Sequence, residues 1–169
     1  NRYQTIWNKD YWISFGDWLA EPRYSADYDA HEKIVIRQTG DSLVATLDDD
    51  QFVVRDNLYT IVSTDLGVNL QFILSLLNSK LLNFYYQSLN PEKGEALAQV
   101  KATTLKQLPF RTIDFTKPEE KYMHDELVAL VERMLELHKN LRKGPIFDSE
   151  KEPIERQIAA TDKKIDELV

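Results

Sequence analysis

The sequence predicts an α+β fold, a small mixed sheet packed with helices and followed by an antiparallel helical hairpin. Three observations carry that expectation. Between residues 33 and 63, β-branched runs recur at roughly ten-residue spacing, parted by turn residues. Residues 70–89, LQFILSLLNSKLLNFYYQSL, hold Leu, Ile, Phe or Tyr at twelve of twenty positions, on helical spacing. From residue 119 onward, apolar residues keep heptad steps through two stretches separated by a Gly-Pro loop.

The elements follow in order. Residues 1–30 are aromatic-rich and loop-like, with Trp7, Tyr11, Trp12, Phe15, Trp18, Tyr24 and Tyr28. EKIVIRQTG reads as a strand closed by a turn, because Ile34, Val35 and Ile36 are β-branched and TGD breaks the run. In SLVATLDDD, Leu43, Ala45 and Leu47 alternate with Ser42, Val44 and Thr46, the period of a second strand. QFVVRDNLYTIV predicts a third strand and a fourth, with a kink at Asp56-Asn57.

Residues 68–89 read as one helix running through Asn78, Ser79 and Lys80, because the apolar stripe continues past Lys80 in phase. A membrane span is excluded: it asks for about 20 predominantly apolar residues, and Asn78, Ser79, Lys80 and Asn83 interrupt the run. Asn78 is expected to be a partly buried anchor bonded to a neighbouring backbone group, since an unsatisfied buried amide costs about 1–3 kcal/mol. Ser79 is small enough for close helix packing, and Lys80 is expected to point outward, toward phosphate in a binding role. NPEKGEALAQ is a turn-rich loop. VKATTLKQLPF predicts a strand end, a helix capped by Thr103 or Thr104, and a stop at Pro109.

The hairpin seam is predicted from Leu127, Leu130, Val131, Met134, Leu137, His138 and Leu141, then Ile154, Ile158, Thr161, Ile165 and Leu168. KGPIFDSEKEP is read as the break between the helices. The chain therefore divides into a body, residues 1–116, and a helical arm, residues 117–169. The seam can pack within one chain or pair two chains, so self-association through the hairpin is one expected contact. The chain starts without an initiator Met and stops at Val169 within a helical pattern, so it reads as a piece of a longer protein.

Composition narrows the chemistry. With no cysteine, thiolate catalysis, disulfides and Cys-based zinc sites are excluded, and a cytoplasmic setting is the expectation. Glycines are scattered singly, without a phosphate-binding signature. His31, His124 and His138 lack metal-ligand spacing, and the latter two are expected to face solvent or the hairpin seam. The aspartates at 48–50 read as a solvated turn between strands rather than a cation site, and DSEK at 148–151 as a surface loop. No catalytic or metal residue is assigned.

Net charge is −7, but residues 71–116 carry five Lys/Arg against three acids, whereas residues 41–70 carry one against six. Polyanion contacts should therefore draw on Lys80, Lys93, Lys101, Lys106 and Arg111. Lys33, Arg37 and Gln38 bracket a strand and are the candidates for reading bases, since Arg pairs with guanine and Gln with adenine in the major groove. The competing account of each is a solvated surface residue, or a partner for an acid such as Asp41.

The order YWISFGDWLAEPR, EKIVIRQTGDSLVATLDDD, NLYTIV, LQFILSLLNSKLLNFYY, QVKATTLKQLPF and IERQIAATDKKIDELV resembles one family over nearly the whole chain. It is similar to the TaqI-like C-terminal specificity domain, the target-recognition region of adenine-N6 DNA methyltransferases and of fused type IIG restriction-modification enzymes. LLNSKLLNFYY followed about twenty residues later by LKQLPF is the specific part, and helix periodicity alone would not generate it. The resemblance implies a non-catalytic module that binds double-stranded DNA beside an N-terminal methyltransferase domain of the parent chain. That separate domain would hold S-adenosylmethionine and flip the adenine; no cofactor is expected in this chain. No fixed family motif carries base-reading positions over, so Lys33, Arg37 and Gln38 rest on chemistry and position. The alternative is half of a type I restriction specificity subunit, or a protein-interaction module that uses the hairpin.

Overall fold

The computed structural model describes residues 30–54, 57–63, 67–95, 97–143 and 148–169; the aromatic cluster from Trp7 to Tyr28 and the kink residue Asp56 lie outside them. Among the described residues, β1 (Lys33–Arg37), β2 (Ala45–Asp48) and β3 (Leu58–Ile61) form one antiparallel sheet in the order β2-β1-β3. The fold is α+β, and the mixed sheet narrows to an antiparallel one. Among the described residues of the span 51–62, β3 is the one strand, and the fourth expected there is not seen among them. Asp48 explains why: its carboxylate accepts the N–H groups of Asp50 (3.0 Å) and Phe52 (2.9 Å), folding the chain into a turn instead of a ladder.

Register decides the two faces of the sheet. Ile34 lies opposite Leu47 and Ile61, and Ile36 opposite Ala45 and Tyr59; these rows face the core. The opposite face carries Lys33 beside Asp48, Val35 beside Thr46 and Thr60, and Arg37 beside Leu58. Ile34 and Ile36 are completely buried, each worth about 1.5–3 kcal/mol of burial.

The predicted helix over 68–89 is two helices, α1 (Leu70–Asn78) and α2 (Lys80–Leu89), parted by Ser79 in extended conformation. The in-phase apolar stripe concealed the break. Ser79 is buried and serves both ends. Its hydroxyl donates to the Leu76 carbonyl (2.7 Å) and accepts from the Leu82 N–H (3.2 Å), so the α1 C-terminus and the α2 N-terminus share one side chain. Asn78 bonds backbone as expected, but from an exposed position: its amide takes both the N–H and the C=O of Ala45 (2.9 Å each). Asn83 accepts the Leu43 N–H at 2.7 Å. The two asparagines thus cover the outer edge of β2, which would otherwise present unpaired backbone groups.

Residues 90–94 form part of the expected turn-rich loop, and an isolated bridge joins Thr39 to Gln99, one residue before the segment in which a strand end is expected. The short helix α3 (Ala102–Leu105) starts from Lys101, without a side-chain cap; Thr104 is buried inside it, so the threonine cap is corrected.

The hairpin comprises α4 (Pro118–Arg142) and α5 (Asp148–Leu168). The sequence around Asp148–Pro153, expected within the break, is the first part of α5, with Pro153 inside the helix. Leu127, Leu130, Val131 and Leu137 of α4 and Thr161 and Ile165 of α5 are buried, as heptad spacing demands, whereas His138 is exposed. His124 was expected at solvent or the seam. It is buried instead, between the rings of Phe72 and Phe115, each 5.0 Å away, with Nδ1 3.0 Å from Asp125. One hydrophobic core joins Ile34 and Ile36 through Leu74 and Leu77 to Leu127, Val131 and Ile165, so it crosses the boundary read at residues 116 and 117. Asp166 of α5 accepts the Lys80 N–H at 2.8 Å, placing a carboxylate at the start of α2. No helix among the described residues is long and apolar enough to cross a membrane.

Candidate nucleic-acid interface

The three base-reading candidates part company in the structure. Lys33 is fully buried, and its ammonium lies 2.6 Å from the Asp48 carboxylate. The assignment of Lys33 to bases is therefore corrected: its charge compensates a buried acid. Of the aspartate run, Asp49 and Asp50 are exposed as expected, whereas Asp48 is corrected to a buried ion-pair partner and turn anchor. Among the described residues, no cluster of three or more His, Asp or Glu could hold a metal ion.

Arg37 and Gln38 sit where β1 leaves the ladder, Arg37 exposed and Gln38 half-buried. Gly40, at φ 128°, makes the turn, and its bare Cα admits the Arg37 guanidinium. A Cβ at Gly40 would lie 2.8 Å from Arg37 Nη2. Gln38 is tied on three sides. Its N–H donates to the Asn57 carbonyl (3.1 Å), its C=O accepts from the Val100 N–H (2.7 Å), and its Nε2 donates to the Tyr59 hydroxyl (3.0 Å).

The loop between α2 and α3 is stitched to this turn. Besides Val100 to Gln38, the Gly40 N–H donates to the Ala98 carbonyl at 2.8 Å, and the Gly94 N–H to Asp41 at 3.3 Å. The stitching brings the backbone next to Lys93 and Lys101 onto the turn that follows Arg37 and Gln38, although more than fifty residues separate them in the chain. Lys93 is exposed; Lys101 pairs with Glu92. That hydrogen bond raises the Lys101 pKa, and it lowers the Glu92 carboxyl, aided by the Gln99 N–H. Both groups are therefore charged at neutral pH, and an incoming phosphate must compete with Glu92. Lys106, exposed, follows one helical turn later.

Lys80 and Arg111 belong elsewhere. Lys80 points outward as expected, but its ammonium meets Asp166 at 2.7 Å, a hydrogen bond that raises its pKa. Arg111 lies 4.0 Å from Glu120 and borders an apolar pocket of about 230 Å³ that includes Leu81, Met123 and Val169. The five phosphate candidates thus split, with Lys93 and Lys101 grouped at the open end of β1.

A second opening, a groove of about 720 Å³, separates the sheet from the hairpin, with Arg37 and Thr46 on one side and His138, Arg142 and Asp162 on the other. His138 and Arg142 are four residues apart on α4 and so share a face. Sequence reading missed Arg142 and left His138 between solvent and the seam; His138 is exposed. The i, i+4 spacing was visible, but nothing in it shows that β2 lies opposite. Tyr59 was also missed, because its relation to Gln38 exists only through the β1–β3 register.

No curated protein gives a match. The model of the TaqI-like C-terminal specificity domain matches residues 1–110, which includes β1 to β3, α1 to α3 and the turn carrying Arg37 and Gln38. On that match, the chain belongs to the family of TaqI-like C-terminal specificity domains.

Proposed function

We propose that this chain is the DNA target-recognition domain of an adenine-N6 DNA methyltransferase from a type IIG-like restriction-modification system, and that it is not catalytic by itself. Membership of the specificity-domain family carries this reading. The open end of β1 supports it. Arg37 and Gln38 offer hydrogen-bonding groups of the types that read guanine and adenine, flanked by Lys93 and Lys101 for the phosphates. Phosphate contacts position a duplex, whereas the two strand-end side chains discriminate among sequences. In this reading, S-adenosylmethionine and the adenine-flipping pocket belong to a separate methyltransferase domain, and this chain holds the duplex in register for it.

The test is duplex binding by the chain across a salt series. Each phosphate neutralised should add roughly −0.9 to the slope of log K against log salt, and Lys93→Gln and Lys101→Gln should each reduce the slope by about 1. Absence of duplex affinity even at low salt, with no base preference transferred when the domain is grafted onto a related methyltransferase, would overturn the reading.

A further inference from the structure

We infer that Gln38 is the adenine-reading residue of this domain and that Tyr59 is the positioning residue that presents its amide. The inference deepens the proposed target-recognition role and rests on it.

An amide at the end of a strand is a poor discriminator if it rotates freely, because either of its ends can then meet a base. Gln38 is constrained. Its main-chain N–H and C=O are held by Asn57 and Val100, which fixes the Cα. The Tyr59 hydroxyl then engages Nε2 at 3.0 Å, which fixes the far end of the side chain. Tyr59 is itself set by its place opposite Ile36 and by packing against the core.

An uncommitted amide has two N–H donors and an oxygen with two lone pairs. After the bond to Tyr59, Nε2 keeps a second N–H to donate and Oε1 keeps its lone pairs to accept. Adenine offers the complement in the major groove, an acceptor at N7 and a donor at N6. Guanine offers acceptors at both N7 and O6, so Oε1 would face another acceptor. The arrangement therefore selects adenine over guanine. Arg37 does not compete for the same edge: it shares a sheet face with Lys33 and Val35, whereas Tyr59 shares the face of Ile36.

The experiment is selection of bound sequences from a randomised duplex library by the whole chain, compared with Gln38→Ala, Tyr59→Phe and the double variant. The wild type should favour adenine at one position by about 5- to 150-fold. Gln38→Ala should abolish that preference and leave other positions unchanged. Tyr59→Phe keeps the ring and should weaken the same preference without changing non-specific affinity or salt slope, and the double variant should match Gln38→Ala. Replacing the selected adenine by its 7-deaza analogue, or by the purine lacking N6, should mimic Gln38→Ala.

Tyr59→Phe lowering affinity for all duplexes equally, or Gln38→Ala retaining every base preference, would overturn the inference while leaving the specificity role standing. A wild-type chain without duplex binding or base preference would overturn the specificity role, and this inference with it.

Discussion

The two ends of β1 carry similar side chains and behave in opposite ways. At one end, Lys33 and Asp48 are both buried, 2.6 Å apart, and the aspartate also accepts the N–H groups of Asp50 and Phe52. At the other, the chain leaves the ladder, Arg37 is exposed, and Gln38 commits one amide hydrogen to Tyr59 and keeps the rest of its amide free. The difference teaches that charge and strand position alone do not leave a side chain available for binding; hydrogen-bonding groups without an internal partner do.

The largest expected effect breaks the closed end. Lys33→Met should destabilise the chain by about 3–5 kcal/mol in chemical denaturation, because it leaves the Asp48 carboxylate buried without its counter-charge. Lys33→Met with Asp48→Leu should recover much of that loss, and failure to recover would show that the Asp48 turn, not the charge pair, matters more. DNA affinity per folded molecule should be unchanged.

Next comes the helix junction that shields the neighbouring strand. Ser79→Ala removes the hydroxyl shared by α1 and α2 and should cost about 0.5–2 kcal/mol, read as a lowered denaturation midpoint. Asn78→Ala should cost roughly 1 kcal/mol and raise the tendency of the exposed β2 edge to self-associate, measurable by light scattering.

At the open end the effects move to binding. Arg37→Ala should alter base preference with stability unchanged within about 0.5 kcal/mol, since the residue is exposed. Gly40→Ala should disturb the same preference by displacing the guanidinium, and also lower stability through its φ of 128°.

The smallest effect is the pH dependence of Glu92 and Lys101. Glu92 has its pKa lowered from 4.5, so its contribution is complete above that value and fades as pH falls through the lowered one. Lys101 is raised from 10.5, so its contribution is complete below that value and is lost as pH climbs past the raised one. Across neutral pH the pair should leave stability flat. Glu92→Gln should lower the melting temperature slightly near pH 7 and converge with the wild type in acid.

Much of the fold was legible in the sequence. Alternation in SLVAT and heptad steps from Leu127 to Leu168 are imprints of a one-sided core, and the same periods reappear in the buried rows. The break at Ser79 was not legible, because Leu77 and Leu82 stay in register with one core whether the helix continues or restarts. Of the candidate site, Arg37, Gln38, Lys93 and Lys101 could be singled out by their chemistry, but nothing in the order of the chain says that the loop after α2 folds back onto the turn after β1.

Sequence alone determined the α+β class, the hairpin and the resemblance to a specificity domain, because periodicity and segment order are local properties of a chain. Tertiary structure decided which polar groups are already satisfied. Lys33 is closed by Asp48, Lys80 by Asp166 and Asn78 by Ala45, while Gln38 is only half engaged by Tyr59. Those partners lie 15 to 86 residues away, and a hydrogen bond at that separation is set by how layers stack, not by neighbouring residues.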